Sequence, residues 1–529
     1  MASRIVPIVW ILVAGWTAAA LAQPPIPIGG EITLAEETAR PFSPPRTAVA
    51  DGGRFLVVWE DPSAVPETRA IVGQLVTREG AVGEPRVVAA QQGVEQTRPE
   101  VSALDDGRFV VVWARRPDDG APSMAARFVS ASGEPLGEAF QVNQEAIEGD
   151  RTQGGVATLD NGEFVVAWRD TDEYDGPSYP FHDVVAQRFS DDGTRIGERI
   201  EVTLGATQRN DDVTLASRPD GGFVVAWKSL GYYGYYQANS RVMARTFDAG
   251  GRSTGKPIQI NSDTERSNAP SSIAVADDGT FLVVWGRSGP LGDPPPVEAR
   301  GRVFDAQGEA RSDELAFSAE GWGPVAAADP NDSFLVVWSD ASVAPASGSE
   351  IVAQRWGSDG QPLSAVEILN TSALGSQYWP GLATDPSGDT LVAWRDFQED
   401  DQYNLLARRF QTPCRTDGDT LCLASERFRI DLDWVDFVGE RGRGRVVQEQ
   451  TDDSGLLWFF QPDNWEMLVK IVDGCGFNGH HWVFAAATTN VGYRLTVTDT
   501  ESGEIRTYDN PVGTLAPAIS DITAFATCP

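Results

Sequence analysis

A short apolar run that ends in tryptophan occurs seven times along this chain at nearly constant spacing. The tryptophans are Trp59, Trp113, Trp168, Trp227, Trp285, Trp338 and Trp394. They follow one another at intervals of 54, 55, 59, 58, 53 and 56 residues. Such a period is typical of one supersecondary unit that is repeated, with loops absorbing the differences in length. The chain is therefore predicted to be a repeat protein over most of its 529 residues.

Each unit contains four runs with strand character, as residues 98–143 illustrate. Residues 101–104 and 109–113 flank an Asp-Asp-Gly-Arg sequence, in which glycine permits the positive φ of a tight hairpin. A third run, 123–129, and a fourth, 138–142, follow after further turns. The four strands are therefore predicted to be antiparallel neighbours in one sheet.

Residue character assigns an order to the four strands. The first run is built of small side chains, such as Gly155 and Ala157, which fit where strands crowd around a common axis. The second run is apolar at consecutive positions, which is typical of a strand covered on both faces. The pattern predicts an all-β fold, a seven-bladed β-propeller of four-stranded blades over residues 23–412. An open β-solenoid is the alternative.

The two ends of the repeat region complement each other. The last unit stops after its third run at Phe410, because Pro413 and Cys414 begin a different pattern. Residues 30–36 (GEITLAE) resemble the fourth run of the other units. We expect this segment to supply the missing outer strand and close the ring, which removes the open sheet edges.

The first 22 residues have the composition of a signal peptide. Arg4 supplies the positive charge, residues 5–19 the apolar stretch and residues 20–22 (Ala-Leu-Ala) the cleavage site. A membrane anchor, the alternative, needs about 20 apolar residues, and this stretch is shorter. The sequence predicts a protein that is secreted, periplasmic or exposed at the cell surface, with no membrane insertion after signal cleavage.

The net charge restricts the class of partner. The chain carries 76 acidic and 42 basic residues, which gives a formal charge of -34. This surface repels phosphate backbones and anionic lipids. We therefore expect an extracellular glycan or protein as the partner, and no nucleic acid.

The cysteines lie beyond the repeats, at Cys414, Cys422, Cys475 and Cys528. In an exported chain an even number predicts disulfides, and four cysteines allow three pairings. Pairing of nearest neighbours joins Cys414 to Cys422 and Cys475 to Cys528. A four-thiolate zinc site is the alternative, but the usual CxxC pairs are absent.

Residues 413–529 show no repeat but contain several strand-like runs, and they are predicted to form a small β-sandwich with two disulfides. The sequence RFRIDLDW alternates apolar with polar residues, which is typical of a half-buried strand. The tryptophan-containing stretches LLWFF and HHWVF are expected in the core of this domain.

Loops between the second and third strands vary in length, and in repeat proteins such variation marks the binding face. The candidate ligand-binding residues at this rim are Tyr174, Tyr179, His182, Tyr232, Tyr233, Tyr235, Tyr236, Tyr378 and Trp379. Exposed aromatic rings beside polar groups suit sugar rings or peptide side chains. The alternative is that the tyrosines pack on their own loops and cover the blade edges.

Catalytic and metal motifs are scarce. The patterns HExxH and GxSxG are absent, and no catalytic residue is assigned. A pair of carboxylates at the channel mouth would still suit glycoside cleavage. No cofactor and no metal site are expected. Calcium is the one alternative, at Asp170, Asp172 and Asp175, where a solvated acidic loop is favoured because the twelve-residue calcium loop is missing.

The FVVVW and VVAQRF runs resemble the repeats of a group of bacterial exported β-propeller proteins. The segments LCLASERFRIDLDW, DGCGFNGHHWVF and AFATCP resemble a C-terminal β module that follows many unrelated exported domains. Together the two resemblances cover nearly the whole mature chain. They imply export and architecture but no activity, and a module shared by different passengers suits surface attachment.

Three functions are consistent with these observations. The favoured hypothesis is a secreted or surface-exposed, non-catalytic scaffold that binds a glycan or protein at the loop-rich face of the propeller. One alternative is an extracellular polysaccharide hydrolase or lyase that uses carboxylates at the channel mouth. The other is a structural surface protein without a discrete ligand.

Overall fold

The computed structural model describes residues 25–38, 43–50, 52–65, 68–144, 154–159, 161–171, 182–203, 209–233, 236–289, 297–329, 333–344, 348–371, 375–397, 403–412, 414, 416, 418–447 and 450–528. The predicted signal peptide, residues 1–22, lies outside this part of the chain. The described part is all-β, apart from one short helix. It includes no helix with the length and apolar character needed to cross a membrane.

The first three sheets follow one another along the chain, after the N-terminal strand β1 (Ile26–Thr38). Sheet 1 contains β2 (Arg46–Ala50), β3 (Arg54–Val65), β4 (Thr68–Thr77) and β5 (Gly80–Ala89). Sheet 2 contains β6 (Val94–Ala103), β7 (Phe109–Pro117), β8 (Ser123–Val129) and β9 (Pro135–Gln141). Sheet 3 contains β10 (Gly154–Thr158), β11 (Phe164–Thr171), β12 (His182–Phe189) and β13 (Arg195–Glu201).

Four further sheets repeat this pattern. Sheet 4 contains β14 (Arg209–Ser217), β15 (Phe223–Tyr233), β16 (Tyr236–Phe247) and β17 (Ile258–Gln259). Sheet 5 contains β18 (Ser267–Val275), β19 (Phe281–Ser288), β20 (Glu298–Phe304) and β21 (Leu315–Ser318). Sheet 6 contains β22 (Gly321–Asp329), β23 (Ser333–Asp340), β24 (Glu350–Gly357) and β25 (Glu367–Ile368). Sheet 7 contains β26 (Gln377–Thr384), β27 (Asp389–Phe397) and β28 (Tyr403–Gln411), together with β1.

The sheets are arranged in a closed ring. The first, inner strands contact one another in turn from β2 to β26, and β26 also contacts β2. Strand β1 pairs antiparallel with β28, with Ile32 opposite Ala407, so the N-terminal strand completes sheet 7. A ring of radially arranged, four-stranded antiparallel sheets is the architecture of a β-propeller.

The core of the ring lies between neighbouring sheets. Seven apolar clusters occupy these spaces, one for each neighbouring pair, including the pair formed by sheets 7 and 1. The seven repeated tryptophans all lie in second strands and are at most 3% exposed. Burial on both faces explains why these strands are apolar at consecutive positions.

The C-terminal module is built from two further sheets whose facing sides share one apolar core. Sheet 8 contains β29 (Leu421–Leu423), β30 (Phe428–Val435), β31 (Arg441–Arg443), β36 (Gly492–Asp499) and β37 (Ile505–Asn510). Sheet 9 contains β32 (Arg445–Val446), β33 (Ser454–Trp458), β34 (Trp465–Asp473), β35 (His481–Ala487) and β38 (Ile519–Phe525). The helix α1 (Cys475–Asn478) lies between β34 and β35.

The two disulfides of the module follow the nearest-neighbour pairing. Cys414 is bonded to Cys422, and Cys475 is bonded to Cys528. The second bond joins α1 to the C-terminal end of the chain. The prediction of two disulfides is therefore confirmed, and the zinc alternative is wrong because all four thiols are oxidised.

The expectation that LLWFF and HHWVF lie in the core is only half correct. Leu457, Phe459 and Val483 are buried in the core, whereas Trp458 and Trp482 are half-buried. The reason is the alternation of a β-strand, which directs successive side chains to opposite faces. The tryptophans belong to the outer face of sheet 9.

Candidate ligand-binding site at the mouth of the ring

The two ends of the ring differ. The hairpin turns between the inner and second strands lie at one end, and the C-terminal module packs there. A cavity of about 460 Å³ at this end is lined by residues of the ring, such as Asp329 and Asp385, and of the module, such as Arg429 and Thr498. The opposite end of the ring takes no part in this cavity. We call this end, where the inner strands begin and the second strands end, the mouth.

Four inner strands are kinked just inside the mouth by a residue in the left-handed conformation. These residues are Arg98, Asp212, Gly323 and Trp379, with φ between 52° and 61°. At each of these residues the register between the inner and the second strand shifts, so the four residues occupy equivalent positions in their sheets. Bulges of this kind redirect side chains, and a left-handed residue other than glycine costs roughly 1–3 kcal/mol that a functional site often explains.

Three aromatic side chains gather where sheets 6 and 7 meet at the mouth. The rings of Trp322 and Tyr378 are 5.8 Å apart and inclined by 33°. The main-chain N–H of Trp379 donates to Ser339 Oγ over 3.1 Å. A Cβ added to Gly323 would lie 3.7 Å from Cδ1 of the Trp379 indole, an ordinary van der Waals distance, so the indole lies beside the kink of sheet 6. All three rings are half-buried. We call Trp322, Tyr378 and Trp379 the aromatic trio.

A group of basic side chains lies across sheets 2, 3 and 4 at the same end. Asp211 accepts a bond from Arg169 at 2.8 Å and pairs with Arg209 at 2.7 Å. Burial lowers the pKa of Arg169, and the charges of Arg209 and Arg98 act in the same direction. Burial alone would raise the pKa of Asp211, but the Arg169 bond and the nearby arginine charges lower it. We call Arg98, Arg169, His182, Arg209 and Asp211 the basic cluster.

His182 begins β12 and forms the single parallel bridge from sheet 3 to Arg209 of sheet 4. It is 4% exposed, and burial lowers its pKa to about 4, with the charge of Arg169 acting in the same direction. Its Nδ1 and the Nε of Arg169 are buried, and neither atom has a hydrogen-bond partner among the residues that the structure describes. Unpaired buried polar atoms are rare in folded proteins, and they often mark a place where a ligand or water binds.

One ion pair lies deeper, where the inner strands are crowded. Arg46 Nε bonds Glu100 Oε1 at 2.7 Å, and both side chains keep about a quarter of their surface exposed. Burial raises the pKa of Glu100, which Arg46 only partly opposes. The other five inner strands contribute uncharged residues at this level: Gly155, Thr214, Ser272, Val325 and Gly381. Arg46 and Glu100 are therefore the two charged groups of this layer.

The nine sequence-predicted rim residues do not form one patch in the described part of the chain. Tyr378 and Trp379 lie together at sheet 7, whereas His182 is buried in the basic cluster rather than exposed in a loop. The backbones of Tyr232, Tyr233 and Tyr236 form the far end of the β15–β16 hairpin. Tyr174, Tyr179 and Tyr235 lie outside the described residues.

Sequence reasoning missed Trp322 and the arginines of the mouth. A signal for part of this was present, because proline follows the kink residue in three of the four strands, at Pro99, Pro324 and Pro380. Proline disfavours helical backbone at the residue before it, and its recurrence marks the same place in each repeat. The side chains grouped around these kinks come from different sheets, so no local pattern joins them.

The calcium alternative has little support in the described residues. Asp170 pairs with Arg199 at 2.6 Å, while Asp172 and Asp175 lie outside the described part. The one described group of three metal-ligating side chain types is Cys475, His481 and Cys528. Its two sulfurs are bonded to each other, so they are not thiolate ligands.

Comparison with known proteins gives distant structural matches only. No family model matches the chain, and no curated protein sequence matches it significantly. A protein of unknown function from Dyadobacter fermentans has a TM-score of 0.45 at 13% identity, with 61% of this chain and 96% of that chain covered. The polysaccharide lyase Uly1 has a TM-score of 0.49 at 7% identity, with 73% and 100% covered.

An α-L-arabinanase from Penicillium chrysogenum, solved with arabinobiose, has a TM-score of 0.42 at 12% identity, and the match covers 60% of this chain and 93% of that chain. With TM-scores below 0.5, these similarities do not carry a function over to this chain.

Proposed function

We propose that this chain is an exported seven-bladed β-propeller protein that binds an extracellular polysaccharide at the mouth of the ring. The aromatic trio carries the proposal. Trp322, Tyr378 and Trp379 are half-buried, and the rings of the first two are in contact. Aromatic faces held in this way bury the C–H faces of sugar rings, whereas the Tyr hydroxyl stays available to water or ligand.

The basic cluster supplies the polar half of such a site. Binding sites combine apolar surface with a few placed polar groups that orient the ligand. The half-buried side chains of Arg98 and Arg209 are polar groups of this kind, while Arg169 and His182 of the same cluster are buried. At neutral pH His182 is uncharged because its pKa is about 4, so its ring adds no positive charge to the cluster.

Export is part of the same proposal. Two disulfides are typical of proteins that fold in an oxidising compartment. The net charge of -34 suits a neutral or locally neutralised ligand rather than a nucleic acid. The resemblance of the repeats and of the C-terminal module to bacterial exported proteins leads to the same compartment.

Cleavage of the polysaccharide is a second candidate function, and its candidate groups are two inner-strand carboxyl groups, Glu100 in the layer below the mouth and Asp211 at the mouth. Burial raises the pKa of Glu100, whereas the arginine neighbours of Asp211 lower its pKa. Two carboxyl groups with opposite shifts are what a glycosidase uses as general acid and as base or nucleophile. Glu100→Gln would then abolish turnover while binding persists.

Two measurements on the full-length mature protein, polysaccharide binding and analysis of the products, test recognition and cleavage. We expect Trp322→Ala and Trp379→Gly to weaken binding to a panel of neutral and uronate-containing polysaccharides at least ten-fold, since central aromatic contacts dominate such sites. Glycine is chosen at Trp379 because it tolerates the left-handed φ of 55°. Leu136→Ala, on outer strand β9, is the control with an exposed apolar side chain away from the mouth.

The outcomes separate the candidate functions. Binding without new chain ends supports a recognition protein, and new reducing or unsaturated ends support a hydrolase or lyase. If no polysaccharide binds, or if the Trp322 and Trp379 variants bind as the parent protein does, the proposal is wrong and a structural role remains.

A further inference from the structure

The C-terminal module has an apolar outer face that the core does not use. The three central strands of sheet 9 direct nine side chains away from the core. These are Ser454, Leu456, Trp458, Leu468, Lys470, Val472, Trp482, Phe484 and Ala486. Lys470 is the one charged residue among them. We call this set the aromatic face.

The outer face of the other sheet is different. Sheet 8 directs Arg429, Asp431, Thr496 and Thr498 outward, and these residues line the cavity shared with the ring. The face that meets the rest of the chain is thus polar and charged, while the face turned away from it is apolar. Contiguous exposed apolar surface on a soluble protein is uncommon and marks a binding surface.

One corner of the aromatic face is held rigidly. The indole N–H of Trp482 donates to Asn478 Oδ1 over 2.8 Å, and the ring lies so close to Gly474 that a Cβ there would be 2.2 Å from it. Phe477 on α1 is 5.8 Å from Trp482 and is 87% exposed. The disulfide of Cys475 anchors this helix. The large exposed ring is therefore presented in a fixed position.

We propose that the aromatic face binds a single chain of a neutral polysaccharide. The charge on the face carries the choice of ligand. Lys470 is paired with Asp453 at 3.2 Å, which leaves the face nearly uncharged on a chain of formal charge -34. Like charge opposes association of two copies of this chain and binding of anionic polymers, so a neutral partner is favoured.

Ring geometry narrows the proposal to single chains. The Phe477 and Trp482 rings are inclined by 51°, and the Trp482 and Phe484 rings by 80°. These rings share no plane, so they cannot lie flat on a crystalline polysaccharide surface together. A single, twisted chain can place successive sugar rings on differently inclined faces.

The test uses the full-length mature protein in native gels that contain hydroxyethylcellulose, glucomannan or a soluble β-1,3-glucan. We expect retardation in at least one of these gels, and none in gels with polygalacturonate. Phe477→Ala removes an exposed ring, and Ala486→Asp adds a charge to an exposed position of the face. Both variants should weaken the retardation about ten-fold or more and leave the unfolding transition unchanged.

Two controls separate this face from the mouth and from unspecific apolar binding. Phe437→Ala removes a ring that is 61% exposed between β30 and β31, outside the aromatic face, and should bind as the parent protein does. Trp322→Ala lacks part of the mouth site, so Phe477→Ala is also made in this background, where it should remove the retardation that remains.

Several results would overturn the inference. They are the absence of retardation by any of the neutral chains, unchanged binding of Phe477→Ala and Ala486→Asp, or loss of retardation in Trp322→Ala alone. Sedimentation supplies one further test. If the parent protein forms a dimer and Ala486→Asp dissociates it, the aromatic face binds a second copy of the chain instead.

Discussion

Arg245 on β16 donates a hydrogen bond from Nη1 to the main-chain carbonyl of Val202, at the end of the preceding sheet, over 2.9 Å. The same bond joins equivalent residues in three other sheets: Arg127 to Val88, Arg302 to Ile260 and Arg408 to Leu369. The remaining three sheets have glutamine at this position, and these side chains bond within their own sheets. Part of the arginine content therefore serves to join neighbouring sheets.

Arg245→Met should lower the free energy of unfolding by about 2 kcal/mol, because a hydrogen bond from a charged group is lost and a buried carbonyl loses its donor. Chemical denaturation followed by tryptophan fluorescence measures this change. Arg86→Met is the control, since Arg86 forms a largely exposed ion pair with Glu134 and should change stability by less than ~1 kcal/mol. Equal effects of the two substitutions would show that the bond between sheets contributes nothing.

His182 makes stability depend on pH. Its pKa in the folded protein is about 4, below its ordinary value of 6.5, so the unfolded chain takes up the proton first as the pH falls. The stabilisation is fully present above pH 6.5 and is lost towards pH 4, with a slope of up to ~1.4 kcal/mol per pH unit. In His182→Gln this part of the slope should disappear, and parallel stability curves for the two proteins would contradict the assignment.

Gly381→Ala should destabilise the ring at the point where it closes. A Cβ at this position would lie 2.6 Å from the carbonyl oxygen of Pro45, and main chain cannot move away as a side chain can. We expect a loss of about 1–3 kcal/mol, as for overpacking elsewhere. Gly30→Ala is the matched control, because a Cβ there meets nothing within 4 Å. Unchanged stability of Gly381→Ala would mean that sheets 7 and 1 are not packed this closely.

The two disulfides should differ in what they contribute to stability. Cys475 and Cys528 are separated by 53 residues, and Cys414 and Cys422 by 8. Closing a longer loop restricts the unfolded chain more. Replacing Cys475 and Cys528 by serine should therefore lower the free energy of unfolding by about 4 kcal/mol, and replacing Cys414 and Cys422 should lower it by about 2.5 kcal/mol. Calorimetry of the two double variants gives the order, and a larger effect of the Cys414–Cys422 pair would contradict it.

Much of the fold could be predicted from local pattern. The apolar runs that end in Trp59 and its equivalents all became buried second strands, since their composition already required cover on both faces. The alternation of apolar and polar residues identified the strand that contains Phe428 and Ile430. The same alternation explains the error at Trp458 and Trp482. It shows that successive side chains lie on opposite faces of the sheet, but it does not show which of the two faces is packed against the core.

The candidate sites were much less predictable. Trp322 lies 56 residues before Tyr378 in the chain, and Arg169 lies 42 residues before Asp211, yet each pair is in contact. The sequence by itself determined the strands, the turns and the repeat, because hydrophobic period and glycine position act over a few residues. Only the tertiary structure decided which side chains meet at the mouth and which face of the module stays uncovered, because these depend on how the sheets pack.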